Sequence, residues 1–253
     1  MLNKRIIPVL QIIDGSLVKT KQFNKFTYIG DPLNSTKIFN ELCADELILL
    51  DLSSSKKREK SFINWKLIEN LASECFMPLS YGGGISTTAD AKRLISIGIE
   101  KIIINSSLSE NINLLRQVSS AIGSSSTIVS LDVRKKLLSY QLYSNSGTKR
   151  IDTNIKQWIS LCEQNGAGEF FINNIDREGT WKGVDLNLIE TVLEYSNVPV
   201  IYSGGSDSWL EAFSTIDNYE ISAVGVGNLV CFQKRNFGVL INYPKEITDS
   251  YSV

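Results

Sequence analysis

The chain has 253 residues, 43% hydrophobic and 21% charged, with a formal net charge of −1. That balance belongs to an ordinary globular protein and offers no broad basic surface for nucleic acid. It contains no histidine, which excludes a Ser-His-Asp triad, a His-ligated zinc and any imidazole acid or base, and leaves proton transfer to carboxylate, lysine or tyrosine.

Apolar strand-like runs alternate with helical patterns from end to end. Strands are predicted over 5–11, 46–53, 78–81, 101–105, 127–132, 169–174, 199–202 and 222–226. Asp31-Pro32 predicts a helix start, with Asp31 as the cap and proline at the first helical position. A second start is read at Ser86-Thr87-Thr88, and Leu67-Ile68 followed by Leu71-Ala72 has helical spacing. Stretches 13–30 and 134–152 read as long connectors.

Two glycine turns, Tyr81-Gly82-Gly83-Gly84 and Ser203-Gly204-Gly205-Ser206, each close a strand that begins near a proline. Gly83 and Gly204 are separated by the same interval as Gln11 and Asp132. The chain therefore reads as two copies of one unit, with half-barrels of approximately 1–122 and 123–253. Eight strands, alternating helices and this repeat predict an α/β fold, a single (β/α)8 TIM barrel over 1–253. A doubly wound sheet is the alternative, and it leaves the repeat unexplained.

In such a barrel the chemistry sits at the C-terminal strand ends. Gln11, Asp51, Asn105, Ser106, Asp132, Ser203, Gly227 and Asn228 fall there, with Asp176 just beyond. Asp132 follows an apolar run, and a buried carboxylate is costly without a purpose. Asp176 reads equally well as a turn residue. The paired glycine turns predict two phosphate sites and an elongated ligand; Lys19 lies within reach of such an anion or is solvated. At the opposite end Arg5, Glu46, Lys101 and Glu169 each open a strand. Alternation turns Arg5 the same way as Gln11 and Lys101 the same way as Asn105, predicting an inward ring of two cations and two anions.

The four cysteines are widely spaced with no CxxC pair, so buried free thiols are expected. No secretory leader, membrane span, metal site or redox cofactor is expected, and a cytoplasmic location follows from those readings.

Taken together, Lys4-Arg5-Ile6-Ile7-Pro8, Asp14-Gly15, Gly30-Asp31-Pro32, Leu50-Asp51, Gly82-Gly83-Gly84-Ile85, Asp176-Arg177-Glu178-Gly179-Thr180 and Ser203-Gly204-Gly205 resemble the cyclase subunit of imidazole glycerol phosphate synthase. The resemblance covers nearly the whole chain. It implies a barrel docked through its N-terminal face to a HisH-like glutaminase, with ammonia passing through the barrel. Arg5, Glu46, Lys101 and Glu169 match the family's ammonia gate. A bisphosphate substrate would sit at Gly84, Asn105 and Ser106 at one end and at Gly205, Gly227 and Asn228 at the other, with Lys19, Asp51, Asp176 and Ser203 as further substrate contacts. Of the family's two catalytic aspartates, Asp132 matches the second, but the first position is Gln11. Asn173 replaces a threonine, and Gly227-Asn228 replaces an alanine-serine pair.

This pattern resembles the second-copy cyclase-like proteins of surface-polysaccharide clusters, which imply ammonia delivery to a separate sugar amidotransferase. The alternatives are an authentic histidine-pathway cyclase with altered acid–base groups, and a non-enzymatic scaffold that only activates its glutaminase.

Overall fold

The computed structural model describes residues 4–54, 62–137 and 139–244. Eight parallel strands close into a ring: β1 (Arg5–Ile13), β4 (Leu47–Asp51), β5 (Leu79–Gly82), β6 (Lys101–Ile104), β7 (Thr127–Lys136), β10 (Glu169–Asn174), β11 (Val200–Ser203) and β12 (Ala223–Val226). The ring is sealed where β1 pairs β4 on one side and β12 on the other, with Val9 opposite Ile48 and Arg5 opposite Ala223. This closure is a (β/α)8 barrel and rules out the doubly wound sheet.

Helices cover the outside: α1 (Pro32–Glu41), α2 (Trp65–Glu74), α3 (Thr88–Ser96), α4 (Ser106–Glu110), α5 (Asn113–Ile122), α6 (Ile155–Gln164), α7 (Leu186–Leu193), α8 (Trp209–Asn218) and α9 (Asn228–Cys231). Their starts follow local chemistry. Asp31 accepts the Asn34 N–H ahead of Pro32 at the head of α1. Thr87 and Asp90 form a reciprocal capping box on α3. The expected apolar stripe of α2 is buried through Ile68 and Leu71.

The two stretches read as connectors are instead largely β-structure. β1 continues past Gln11 and folds back at Asp14-Gly15 into β2 (Ser16–Lys21), which pairs with β3 (Lys25–Gly30). Both turn residues have positive φ, 49° and 80°, and Asp-Gly is a favoured two-residue hairpin turn. β7 likewise continues past Asp132 and pairs with β8 (Ser139–Ser144), which pairs with β9 (Lys149–Arg150). Both hairpins rise from the C-terminal end of the barrel.

Side-chain alternation divides the core in two. Ile7, Val9, Ile48, Leu50, Ile103, Ile128, Phe171, Ile201 and Ala223 fill the barrel interior. A larger cluster, including Leu10, Leu49, Tyr81, Leu94, Val129 and Phe170, lies between strands and helices. All four cysteines are free. Cys162 and Cys231 are buried as expected, whereas Cys75 is half-buried and Cys43 is exposed just past the end of α1.

Phe171 is fully buried inside the barrel. Phe171→Ala should cost about 3–5 kcal/mol through lost burial and the cavity left behind. Urea unfolding followed by circular dichroism should show a lower midpoint.

Candidate active site

At the C-terminal end a cavity of about 710 Å3 opens among the ends of β4, β5, β6, β7 and β10. Asp51, Gly84, Asn105, Ser106, Asp132 and Asn173 all line it. The glycine turn gives the cavity its near wall. Gly83 and Gly84 have φ of 132° and 68°, and a Cβ there would run into the carbonyls of Asp51 and Phe62. Only glycine lets the backbone pass so close.

Asp132 is the carboxylate most altered by this setting. It is buried, and burial pushes its carboxyl up from 3.8 to about 6, against hydrogen bonds from Ser130, Asn105 and Asn173. Ser130 donates its hydroxyl to Asp132 Oδ1 at 2.8 Å. Asn105 Oδ1 is buried beside this group and makes no hydrogen bond among the described residues. A carboxyl titrating close to neutrality can take and return a proton in working conditions.

Asp51 is also raised by burial, against the Ser53 and Tyr81 hydrogen bonds that favour its charge. It accepts the Ser53 N–H at 2.8 Å and the Tyr81 hydroxyl at 3.4 Å. Its carboxylate thereby ties the end of β4 to β5. Ser203 is buried at the end of β11, in register with Asn173. Asp176 lies outside the cavity wall. It accepts the Lys135 N–H at 2.8 Å and meets Arg134 at 3.5 Å, bracing the β7–β8 hairpin.

Gln11 is 1% exposed and both ends of its amide are engaged. Its Oε1 accepts the Thr20 N–H at 2.8 Å, and its Nε2 donates to Glu178 Oε1 at 2.7 Å. The same Glu178 oxygen is paired with the buried ammonium of Lys19. Glu178 was missed as a site residue from sequence. Its signal was the acidic turn Asp176-Arg177-Glu178-Gly179, in which Glu178 N–H bonds back to the Asn174 carbonyl and carries the second acidic residue inward.

Gly205, Gly227 and Asn228 meet in a second recess with Glu178, Gly179, Gly204, Ser206 and Gly225. It is far smaller than the first, about 10 Å3, and the Lys19 side chain lies against Gly227 in its wall, its Cε 2.7 Å from where a Cβ would stand. The two glycine turns match in sequence but differ in space.

At the opposite end the four charged strand openers do meet. Arg5 donates to Glu46 and, at 3.0 Å, to Glu169. Lys101 pairs with Glu169 at 2.8 Å, and Ser222 donates to Glu169 at 2.9 Å. Burial works against the Arg5 charge, but Glu46 and Glu169 outweigh it and raise its pKa. Among the described residues no group of three or more His, Cys, Asp or Glu could hold a metal ion, and no helix is long and apolar enough to cross a membrane.

A closed parallel barrel with a polar cavity at its C-terminal strand ends and a glycine-walled turn beside it defines the class of (β/α)8 proteins with a ligand-binding C-terminal face. The sequence profile of the histidine biosynthesis protein family matches residues 5–235, and the chain belongs to that family. It is 39% identical over 245 residues to a Pseudomonas aeruginosa protein provisionally named imidazole glycerol phosphate synthase subunit hisF2, covering 96% of this chain and 97% of that one. It is 42% identical over 246 residues to a Leptospira borgpetersenii protein provisionally named as the HisF subunit of the same synthase, covering 96% of each. The imidazole glycerol phosphate synthase subunit HisF of Petrotoga mobilis is 36% identical over 225 residues, covering 88% of this chain and 87% of that one. The chain is thus HisF-like, and relatives within the family carry paralogue names.

The Asp132 shift sets a sign for stability. Its folded pKa lies above the ordinary carboxyl value, so ionisation costs the folded state. Between about pH 4 and pH 6 the wild type should lose on the order of 2–3 kcal/mol relative to Asp132→Asn, with no further loss above that window. Denaturant titrations of both proteins at pH 4, 5, 6 and 7 measure the difference.

Proposed function

We propose that the chain is an ammonia-conducting barrel that works with a HisH-like glutaminase and supplies nitrogen for amidination of a surface-polysaccharide sugar by a separate sugar amidotransferase. The observation that carries the reading is Gln11. It stands where a cyclase of this family has its first catalytic aspartate, and its amide is held at both ends by Thr20 and Glu178. An amide neither takes nor gives a proton at useful pH. The ring of Arg5, Glu46, Lys101 and Glu169, by contrast, has every charge matched.

In this reading the glutaminase docks on the N-terminal face in the cytoplasm and releases ammonia at the ring. Ammonia is small and neutral, so it suits the apolar interior between Ile7 and Val9 at one wall and Ile128 and Phe171 at the other. Asp132 meets it at the cavity and takes or returns protons as the nitrogen is passed on. A phosphorylated small molecule is held at Gly84, Asn105 and Ser106, with its far end toward Gly205, Gly227 and Asn228. Lys19, Asp51, Asp176 and Ser203 are assigned as supporting substrate residues, Asp176 through the hairpin it braces.

The second reading, an authentic cyclase with altered acid–base groups, draws on Asp132, whose raised carboxyl is a competent acid–base group by itself. Incubating the isolated chain with the ribulosyl aminoimidazole carboxamide bisphosphate and ammonium salt separates the two. The amidination reading expects no turnover, together with transfer of 15N from labelled glutamine to a sugar when glutaminase and sugar-modifying enzyme are added. Cyclisation without sugar labelling would establish the cyclase instead. If the chain is a cyclase weakened only at one group, Gln11→Asp should raise turnover by about 10²–10⁴-fold.

Lys101→Ala should abolish labelled nitrogen transfer while glutamine hydrolysis continues, since Arg5 alone would then face both Glu46 and Glu169 and the ring's excess negative charge would hold ammonium at the gate. Unchanged transfer would leave only the role of an activating scaffold.

A further inference from the structure

The two glycine turns are near-copies, yet one borders an open cavity and the other a recess with room for about one water. One buried cation stands at the edge of the smaller recess. Lys19 is buried on β2, and its Cε and Nζ lie against Gly227, at 2.7 Å and 3.2 Å from the position a Cβ would take. It is kept there by Glu178, which is itself buried and receives the Gln11 amide as a second donor. A buried ammonium with its carboxylate is a neutral unit, and a neutral unit has little attraction for an incoming anion.

The wall of the recess holds an independent sign of a missing partner. Ser206 lines it and is buried, and its Oγ makes no hydrogen bond among the described residues. Buried hydroxyls are ordinarily satisfied, by protein, water or ligand. Five of the residues lining it, Gly179, Gly204, Gly205, Gly225 and Gly227, are glycines, and Lys19 lies against the last of them.

We propose that Glu178 is a charge lock on the second recess: it holds Lys19 neutralised against Gly227 at the recess wall, and a ligand phosphate binds there by replacing the Glu178 carboxylate as the partner of Lys19. This rests on the reading of the recess as a phosphate site and adds its control. Lys19 turns from pairing with Glu178 to gripping the occupant of the recess, and Ser206 gains an acceptor. Glu178 keeps the Gln11 amide as its donor and becomes a carboxylate free of its cation at the barrel mouth. Glu178 is a positioning residue here, acting on the ligand through Lys19.

The test is a titration with inorganic phosphate of the full chain labelled with 15N, read at the backbone amides by NMR. In Glu178→Gln, Lys19 loses its competing carboxylate, so phosphate should shift Gly205, Gly227 and Asn228 at roughly ten-fold lower concentration than in the wild type. Lys19→Met should weaken those shifts about ten-fold, and the double variant should behave as Lys19→Met does. The Glu178→Asp variant keeps the charge but shortens the reach, and serves if the amide variant does not fold; it should show a smaller gain of the same sign. Equal affinity in wild type and both Glu178 variants would overturn the lock. Shifts at Gly84 and Ser106 with none at the recess in any variant would also overturn it, while leaving the first phosphate site standing. No shift at either set would remove the phosphate reading as well.

Discussion

Everything in this molecule depends on the pairing of β1 with both β4 and β12. A parallel sheet of eight strands with two free edges would leave rows of backbone N–H and C=O groups to be covered. Closing the ring satisfies them and at the same time creates an inside with two ends. Alternation along β1 then places Arg5 at one end and Gln11 at the other, with Ile7 and Val9 between. A single strand therefore carries a member of the charged ring, two members of the apolar interior and a member of the mouth.

The barrel was legible because each strand is a short apolar run bounded by polar or turn residues, and because burial on both faces of a parallel strand demands that composition. The charged ring was legible for the same reason: Arg5, Glu46, Lys101 and Glu169 open strands whose alternation fixes their direction. The hairpins were not. Asp14-Gly15 is a turn signal, but β3 reads Lys25-Phe26-Thr27-Tyr28, with those positions all exposed. It is an edge strand with no buried face to announce it.

The mouth was half legible. Asp132 could be placed from its own strand, whereas Glu178 could not, since its inward direction is set by a turn hydrogen bond to Asn174 rather than by strand period. The cation against the second glycine turn's recess, Lys19, arrives from a hairpin far away in sequence. Gln11 makes sense only within that company. An aspartate there would face the Glu178 carboxylate with Lys19 as their shared cation, whereas the amide offers Glu178 a donor and adds no charge.

The tip of the first hairpin is also fastened down. Gln22 gives its backbone N–H to the Glu178 carbonyl at 3.0 Å and its side-chain amide to the Asp176 carbonyl at 2.9 Å. Lys19 sits on the same hairpin, three residues earlier. Raising the hairpin from the barrel therefore breaks two hydrogen bonds and one ion pair to one short turn, and the Thr20 bond to Gln11 with them. The hairpin and that turn form one clasp across the rim of the barrel, fastened by backbone, amide and charge together.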